Sequence, residues 1–292
     1  MSIEFKNVEY TYLKNTPFEN KVLNDINFKI GKGEIISIIG HTGSGKSTLV
    51  QLIDLLLKKF SGEIIIDSLS TNDKKIKHSS IRSKFGFSFQ YPEYQFFEET
   101  IYKDISFSLR VKGESEYIIR KKVKNAMNTV FLDFEKYKDK SAFEISGGEK
   151  RRVSLASMLV MDPEYIILDE PTVGLDPKTK EEITSIIEIL NKKYKKTIII
   201  VTHIMDLVYR ISHRVMLLNK GRIVSFEDTL EFFENKKILN EYSIEEPYLV
   251  KLKGKLLENG INIPKNVRTI SQMEESLSLY FKNKRKDKWL IT

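Results

Sequence analysis

The chain contains no cysteine. That excludes disulfides, thiolate metal ligands and thiol nucleophiles, and it suits a protein of a reducing compartment. Long apolar runs are also missing. The stretches Ile35 to Ile39, interrupted by a serine, and Ile198 to Val201 are typical of what there is. None approaches the roughly 20 residues that span a bilayer. Work done at a membrane is therefore expected from outside the lipid. Met1 to Lys6 carries no apolar core of a secretory leader, so none is expected. No internal repeat and no low-complexity segment occurs.

What is present is an ordinary globular balance. Of 292 residues, 41% are apolar and 30% charged, enough for one large or two modest domains. The formal net charge is +8. Lysines crowd at Lys121-Lys122, Lys192-Lys193, Lys195-Lys196 and from Lys282 to Lys288. This reads as a solvated basic surface, with peripheral contact to an anionic membrane face ranked ahead of nucleic acid.

The stretch Gly40-His41-Thr42-Gly43-Ser44-Gly45-Lys46-Ser47-Thr48 has the spacing G-x-x-x-x-G-K-S. It follows a β-branched apolar run and precedes a helical stripe, the context a phosphate-binding P-loop demands. Glycines leave backbone N–H groups free to meet phosphate, and the helix start adds its positive end. Lys46 is expected on the terminal phosphates and the Ser47 hydroxyl on Mg²⁺.

Around this loop the periodicity alternates. Ile3 to Phe5, Val8 to Tyr12, Val22-Leu23 and Ile26 to Ile30 read as strands, as do Ile35 to Ile39, Glu63 to Asp67 and Phe85 to Gln90. Residues 47–59 read as a helix, and residues 98–135 and 149–161 are helix-like. Strands are expected at Tyr165 to Leu168, Thr197 to Thr202, Arg214 to Leu218 and Arg222 to Val224, with helices over 178–194 and 204–211 between them. This order predicts an α/β P-loop domain over residues 1–224, with a helical insertion at about 91–160. From 225 to 292 short helical runs broken at Pro247, Gly254, Gly260 and Pro264 predict a small C-terminal domain.

Two further constellations carry chemistry. Ile166-Ile167-Leu168 ends in Asp169-Glu170. Asp169 is placed to hold Mg²⁺, and Glu170 to orient and deprotonate an attacking water. Ser146-Gly147-Gly148-Glu149 opens a helix and forms a second anion-binding N-terminus. One nucleotide does not need two such cradles. A head-to-tail dimer, in which this turn caps the nucleotide of a partner chain, explains both.

Taken together these motifs resemble the ATP-binding cassette (ABC) ATPases over roughly residues 3–224. The resemblance implies a P-loop core with an antiparallel β subdomain and a helical insertion. Gly40 to Thr48 is similar to the family's Walker A loop, and Ile166 to Asp169 to Walker B, with Glu170 the catalytic base. Gln90 sits where the Q-loop glutamine contacts Mg²⁺. Ser146 to Glu149 resembles the signature motif, with Ile145 where leucine and Glu149 where glutamine is usual. Asp176 closes a D-loop-like Val173-Gly174-Leu175-Asp176. His203 resembles the switch histidine, and Tyr12 the aromatic that stacks on adenine. The implied ligands are ATP and Mg²⁺.

The continuation Phe89-Gln90-Tyr91-Pro92-Glu93-Tyr94-Gln95-Phe96-Phe97-Glu98-Glu99-Thr100 resembles the ATPases of energy-coupling-factor (ECF) transporters, and the second of their two paralogues in particular. Residues 225–292 resemble the extension that helps hold those ATPases together. The resemblance implies a peripheral protein on the cytoplasmic side of the cell membrane. Its expected partners are a paralogous ATPase in a heterodimer, a transmembrane coupling subunit and interchangeable substrate-binding membrane subunits. Vitamins or metal ions would be the cargo. Tyr91, Tyr94, Phe96 and Phe97 are candidate docking surface for the membrane partner. Cassettes of DNA repair or translation carry long insertions or a second cassette, and neither feature occurs here. Asp169, Glu170, Gln90 and His203 together argue against a non-hydrolysing cassette.

Overall fold

Two kinds of apolar pattern build two kinds of sheet. The computed structural model describes residues 2–73, 75–88 and 96–289, with side chains of the last helix as far as 282. Half-buried alternating segments form β1 (Ser2–Tyr12), β2 (Asn20–Gly31), β4 (Ser61–Ile66) and β5 (Leu69–Ser70), an antiparallel sheet in the order β2-β1-β4-β5. Near-continuous apolar segments form β3 (Ile35–Ile39), β7 (Tyr165–Asp169), β8 (Thr197–Val201) and β9 (Arg214–Asn219), and the alternating Phe-Gly-Phe-Ser forms β6 (Phe85–Ser88). These five are parallel, and β10 (Arg222–Asp228) adds antiparallel to β9, giving the order β10-β9-β3-β8-β7-β6.

Buried strands are apolar on both faces because each face has its own core. Ile36 and Ile38, Ile167, and Ile199 and Val201 join the antiparallel sheet and α1 (Lys46–Ile53) in one cluster. The intervening residues Ile35, Ile166, Leu168, Ile198 and Ile200 join a helical layer in another. That layer contains α3 (Ile101–Val111), α4 (Glu116–Thr129), α5 (Phe134–Tyr137) and α6 (Gly147–Leu159) of the insertion, with α7 (Pro177–Lys192) and α8 (Met205–Ile211). The short α2 (His78–Arg82) precedes β6. Truncating one such isoleucine to alanine costs about 2–5 kcal/mol. Every parallel strand that delivers a site residue is thus clamped from two sides.

The C-terminal helices are α9 (Thr229–Glu234), α10 (Lys236–Glu241), α11 (Tyr248–Glu258) and α12 (Ile270–Trp289). Their buried residues Phe232, Phe233, Leu239, Leu249, Ile263, Val267 and Met273 share one cluster with Ile39, Val208, Tyr209, Val215 and Leu217 of the α/β unit. The region is helical, as its sequence predicts, but its core is built on the larger unit. The boundary expected at 225 falls inside β10, where Ser225 pairs with Leu217 and Asp228 with Arg214.

Three expected boundaries differ. The helix after the P-loop ends at Ile53 rather than 59, because Leu55 turns left-handed at φ 57 and is fully buried there. The two expected strands before Tyr12 are one strand, kinked at Asn7 (φ 48) with a register shift between Phe5 and Val8. Gly254 does not interrupt α11, since nothing crowds it and its neighbours are good helix formers.

Candidate active site

The phosphate loop starts where β3 ends. Gly40 takes φ 147, and a Cβ there would sit 2.2 Å from the Leu218 carbonyl oxygen of β9. Only glycine lets the loop leave the sheet this close to its neighbour. Gly45, at φ 104, precedes α1, and no side chain caps that helix. Its first N–H groups are therefore left for a ligand. Lys46 lies half-buried, with Nζ donating to the carbonyls of Gly40 (2.6 Å) and His41 (2.9 Å). Burial pulls its pKa down, against the opposing pull of Glu170 and Asp169. A phosphate would give that ammonium charge-assisted partners in place of neutral carbonyls. Tyr12, at the end of β1, meets the Thr48 hydroxyl at 3.2 Å and Tyr10 edge-on at 4.8 Å. The expected adenine-stacking residue is thus anchored to the helix that the phosphate loop opens.

His41 reaches the other way. Its Nε2 donates to the carbonyl oxygen of Tyr242 at 2.9 Å. With Ile39 in the C-terminal cluster, the phosphate loop is tied to that region at both its strand and its first variable residue.

The acids arrive on β7. Burial raises the Asp169 pKa, Glu170 adds to this by repulsion, and Lys46 and Arg151 oppose it. Glu170 turns out of the strand at φ 47, its N–H donating to the Val201 carbonyl at 2.8 Å. Its carboxylate accepts from the Thr202 hydroxyl (2.9 Å) and lies 2.6 Å from His203 Nδ1. The carboxylate is mostly buried at 13% exposure while the imidazole is 70% exposed. A carboxylate held by Thr202 and His203 at the end of a strand is oriented before any substrate arrives. Asp169 and the exposed Ser47 are hard oxygen donors, the kind that Mg²⁺ takes together with waters and phosphate oxygens.

The signature-like turn is built differently. Ser146 caps α6, its hydroxyl accepting from the Glu149 N–H at 3.3 Å. The Glu149 carboxylate folds back onto the Ser146 N–H and hydroxyl, each at 2.8 Å, in a capping box. Its other oxygen accepts from the Tyr137 hydroxyl. The Tyr137 bond foremost, then those from Ser146, hold the Glu149 pKa down at about 2, against desolvation. Gly147 has open space around it, while a Cβ on Gly148 would meet the Thr179 side chain at 2.7 Å. Thr179 in turn bonds Asp176, which caps α7. The turn therefore abuts the D-loop-like segment and keeps one bare glycine facing out.

Within one chain the structure gathers Tyr12, Gly40 to Thr48, Asp169, Glu170, Thr202 and His203. Ser146 to Glu149 bond among themselves and to Tyr137, and Asp176 stays with Thr179. Gln90, with Tyr91 and Tyr94, lies outside the described residues. Phe96 packs partly buried against the helical cluster, whereas Phe97 is exposed and meets Phe107 at 4.9 Å. A cavity of about 660 Å³ between α4 and the end of α7 contains none of the site residues. Sequence patterns miss Thr202, a plain strand-end threonine, and Arg151, whose burial against the Glu170 carbonyl has no local signal.

The sequence pattern described as ABC transporter matches residues 23–173. The chain belongs to the ABC transporter family. It is 48% identical to the energy-coupling factor transporter ATP-binding protein EcfA2 of Clostridium tetani, over 97% of this chain and 99% of that protein. It is 47% identical to the EcfA2 of Clostridium perfringens, over 97% and 99%. Among solved structures, cbiO1 from Clostridium perfringens, part of the ABC transporter complex cbiONQ, aligns with a TM-score of 0.73 at 34% identity. That match covers 86% of this chain and 97% of cbiO1. The dimeric cassette MJ0796 bound to ADP and phosphate aligns at 0.68 and 32% identity, covering 78% and 98%. The family and fold are thus those of an ATP-binding, ATP-hydrolysing cassette of the ECF type. Of the described helices none is long and apolar enough to cross a membrane.

Proposed function

We propose that this chain is an ATP-hydrolysing subunit of an ECF-type transporter, powering uptake of vitamins or metal ions through a transmembrane coupling protein. The observation that carries the reading is the Glu170 carboxylate, held by Thr202 and His203 beside the phosphate loop and its lysine. In this reading Gly40 to Thr48 bind the phosphates and Tyr12 stacks on adenine. Glu170 takes the proton of the attacking water, and His203 holds that carboxylate and reaches the γ-phosphate. Asp169, Ser47 and Gln90 would hold Mg²⁺, which shields phosphate charge when bound.

The second ATP-facing surface, Ser146 to Glu149, supports a composite site in which each chain caps the nucleotide of another. The bacterial ABC transporter cassette MJ0796 has a dimeric structure, and the partner here is proposed to be a paralogous ATPase. Asp176, beside the turn, would lie at the same junction. ATP closes the dimer because it touches both surfaces, and hydrolysis removes that link. The transmembrane coupling subunit would dock near Gln90, Phe96 and Phe97, from the cytoplasmic side, with substrate-binding membrane subunits beyond it. Nucleic acid is not part of this reading.

Affinity purification of the chain from a membrane extract, followed by identification of what it carries, tests the assembly. A second cassette and a polytopic membrane protein are expected; ribosomes or DNA without either would overturn it. Glu170→Gln tests the chemistry. ATP turnover should fall by roughly 10²–10⁴-fold, the usual contribution of a positioned base, while an ATP-bound dimer accumulates on gel filtration. Undiminished turnover would remove Glu170 from its role.

A further inference from the structure

Glu170 occupies a left-handed backbone position, φ 47, that a residue with a side chain rarely takes. Such a conformation persists only where the surroundings over-determine it. On one side the Glu170 N–H is fixed to the Val201 carbonyl of β8 at 2.8 Å. On the other side stands Arg151, one turn into α6 and only 4% exposed. Its guanidinium donates through Nη2 to the Glu170 carbonyl and through Nε to the Pro171 carbonyl at 3.1 Å. The planar fork of arginine suits two adjacent carbonyls, which lysine reaches with one ammonium.

We infer that Arg151 is a positioning residue for hydrolysis: it clamps the backbone of the catalytic Glu170, and so locks the helix that begins at the signature-like turn to the base that serves the chain's own phosphate loop. The clamp lies within a single chain. Its consequence for a dimer rests on the composite-site reading. There, Ser146 to Gly148 serve the partner's nucleotide while Glu170 serves the chain's own, so a shift of α6 on one nucleotide moves the base at the other.

The test separates this role from plain structure. Arg151→Met replaces the buried guanidinium by an apolar chain of similar length and leaves two carbonyls without this donor, so some stability is lost with it. Expected are a fall in kcat of at least tenfold and KM for ATP within twofold of the parent, both read well below a lowered melting temperature. Arg151→Lys keeps the charge and one point of attachment and should recover part of kcat. In a Glu170→Gln background, Arg151→Met should cost less than twofold further, because the group it positions is already disabled. Unchanged kcat in a folded Arg151→Met protein, a matching rise in KM, or full multiplication of the two effects would each overturn the inference. If the methionine variant does not fold, the lysine variant decides. A kcat loss at constant KM supports the clamp, and parental kcat overturns it. Failure of Glu170 as base would show separately, as turnover retained in the single Glu170→Gln protein.

Discussion

The phosphate loop and the signature-like turn are both glycine-rich starts of helices, yet they are finished in opposite senses. At the first, no side chain caps α1, and the nearest charge is a lysine whose ammonium is destabilised by burial. At the second, a capping box between Ser146 and Glu149 satisfies the N–H groups of those two residues, and the nearest charge is a carboxylate held ionised by Tyr137 and Ser146. The first presents N–H groups and a cation of the kind an anion takes. At the second the cap is internal and Gly147 stands bare. Two helix ends of similar sequence therefore differ in what they leave open: at one an uncapped first turn with its lysine, at the other a bare glycine beside a capping box.

Removing the charge of the first end should have the largest effect. Lys46→Ala deletes two or more charge-assisted bonds to phosphate, each worth about 1.5–3 kcal/mol, so ATP affinity should fall by roughly 10²–10³-fold or more. Equilibrium dialysis with ATP checks this. If the loss is under tenfold, the open helix end and not the cation carries the site, and the contrast with α6 narrows to capping alone.

Removing the charge of the second end should act in the other direction. Glu149→Gln keeps a side chain that can accept from the Ser146 N–H but takes a negative charge away from where a partner's phosphate would approach. Charges at exposed helix ends are worth about 0.3–1 kcal/mol, so the apparent KM for ATP in the assembled dimer should drop about two- to fivefold. A higher KM would mean that the carboxylate helps the nucleotide, through its sugar hydroxyls rather than its phosphates.

The same substitution has a stability signature. Folding lowers the Glu149 pKa from an ordinary 4.5 to about 2. A depressed carboxylate contributes stability that is fully present above 4.5 and is lost as pH falls towards 2. The side chain sits near the surface, so solvent screening keeps this contribution small. Glu149→Gln should flatten the fall in melting temperature between pH 4.5 and 3, and leave its slope above pH 6 unchanged. An unaltered acid slope would show that other carboxylates carry the acid sensitivity, among them Asp67, bonded to Lys84 and Tyr165.

Why one end was easier to read than the other follows from distance along the chain. Gly40 to Ser47 is legible because eight consecutive residues carry the whole chemistry, and the flanking strand and helix are visible in their periodicity. Asp169-Glu170 is legible for the same reason. The positions of the buried strands along the chain are also readable, since most are short apolar runs. What is not legible depends on residues far apart. Arg151 touches carbonyls 19 and 20 positions away, and burial decides its role. Tyr137 reaches Glu149 across the turn between α5 and α6. The attachment of the C-terminal helices is hidden too. Their own pattern of short amphipathic runs does not reveal that Ile39 and Leu217 supply part of their core.

That attachment gives the comparison its finest test. Each glycine-rich end is bonded to a distant helical region: Glu149 to Tyr137 in the helical insertion, and His41 to the Tyr242 carbonyl beyond α10. A carbonyl only accepts, so His41 must carry its proton on Nε2. His41→Ala removes one neutral, exposed hydrogen bond, at the low end of the 0.5–1.5 kcal/mol such bonds contribute, or about a twofold weakening of ATP binding. His41→Gln retains an N–H donor of similar reach and should restore most of it. Calorimetric titration of ATP into the three proteins resolves a twofold change. If alanine and glutamine behave alike, the C-terminal helices steady the loop only through the buried Ile39, and the bond at its rim is incidental to binding.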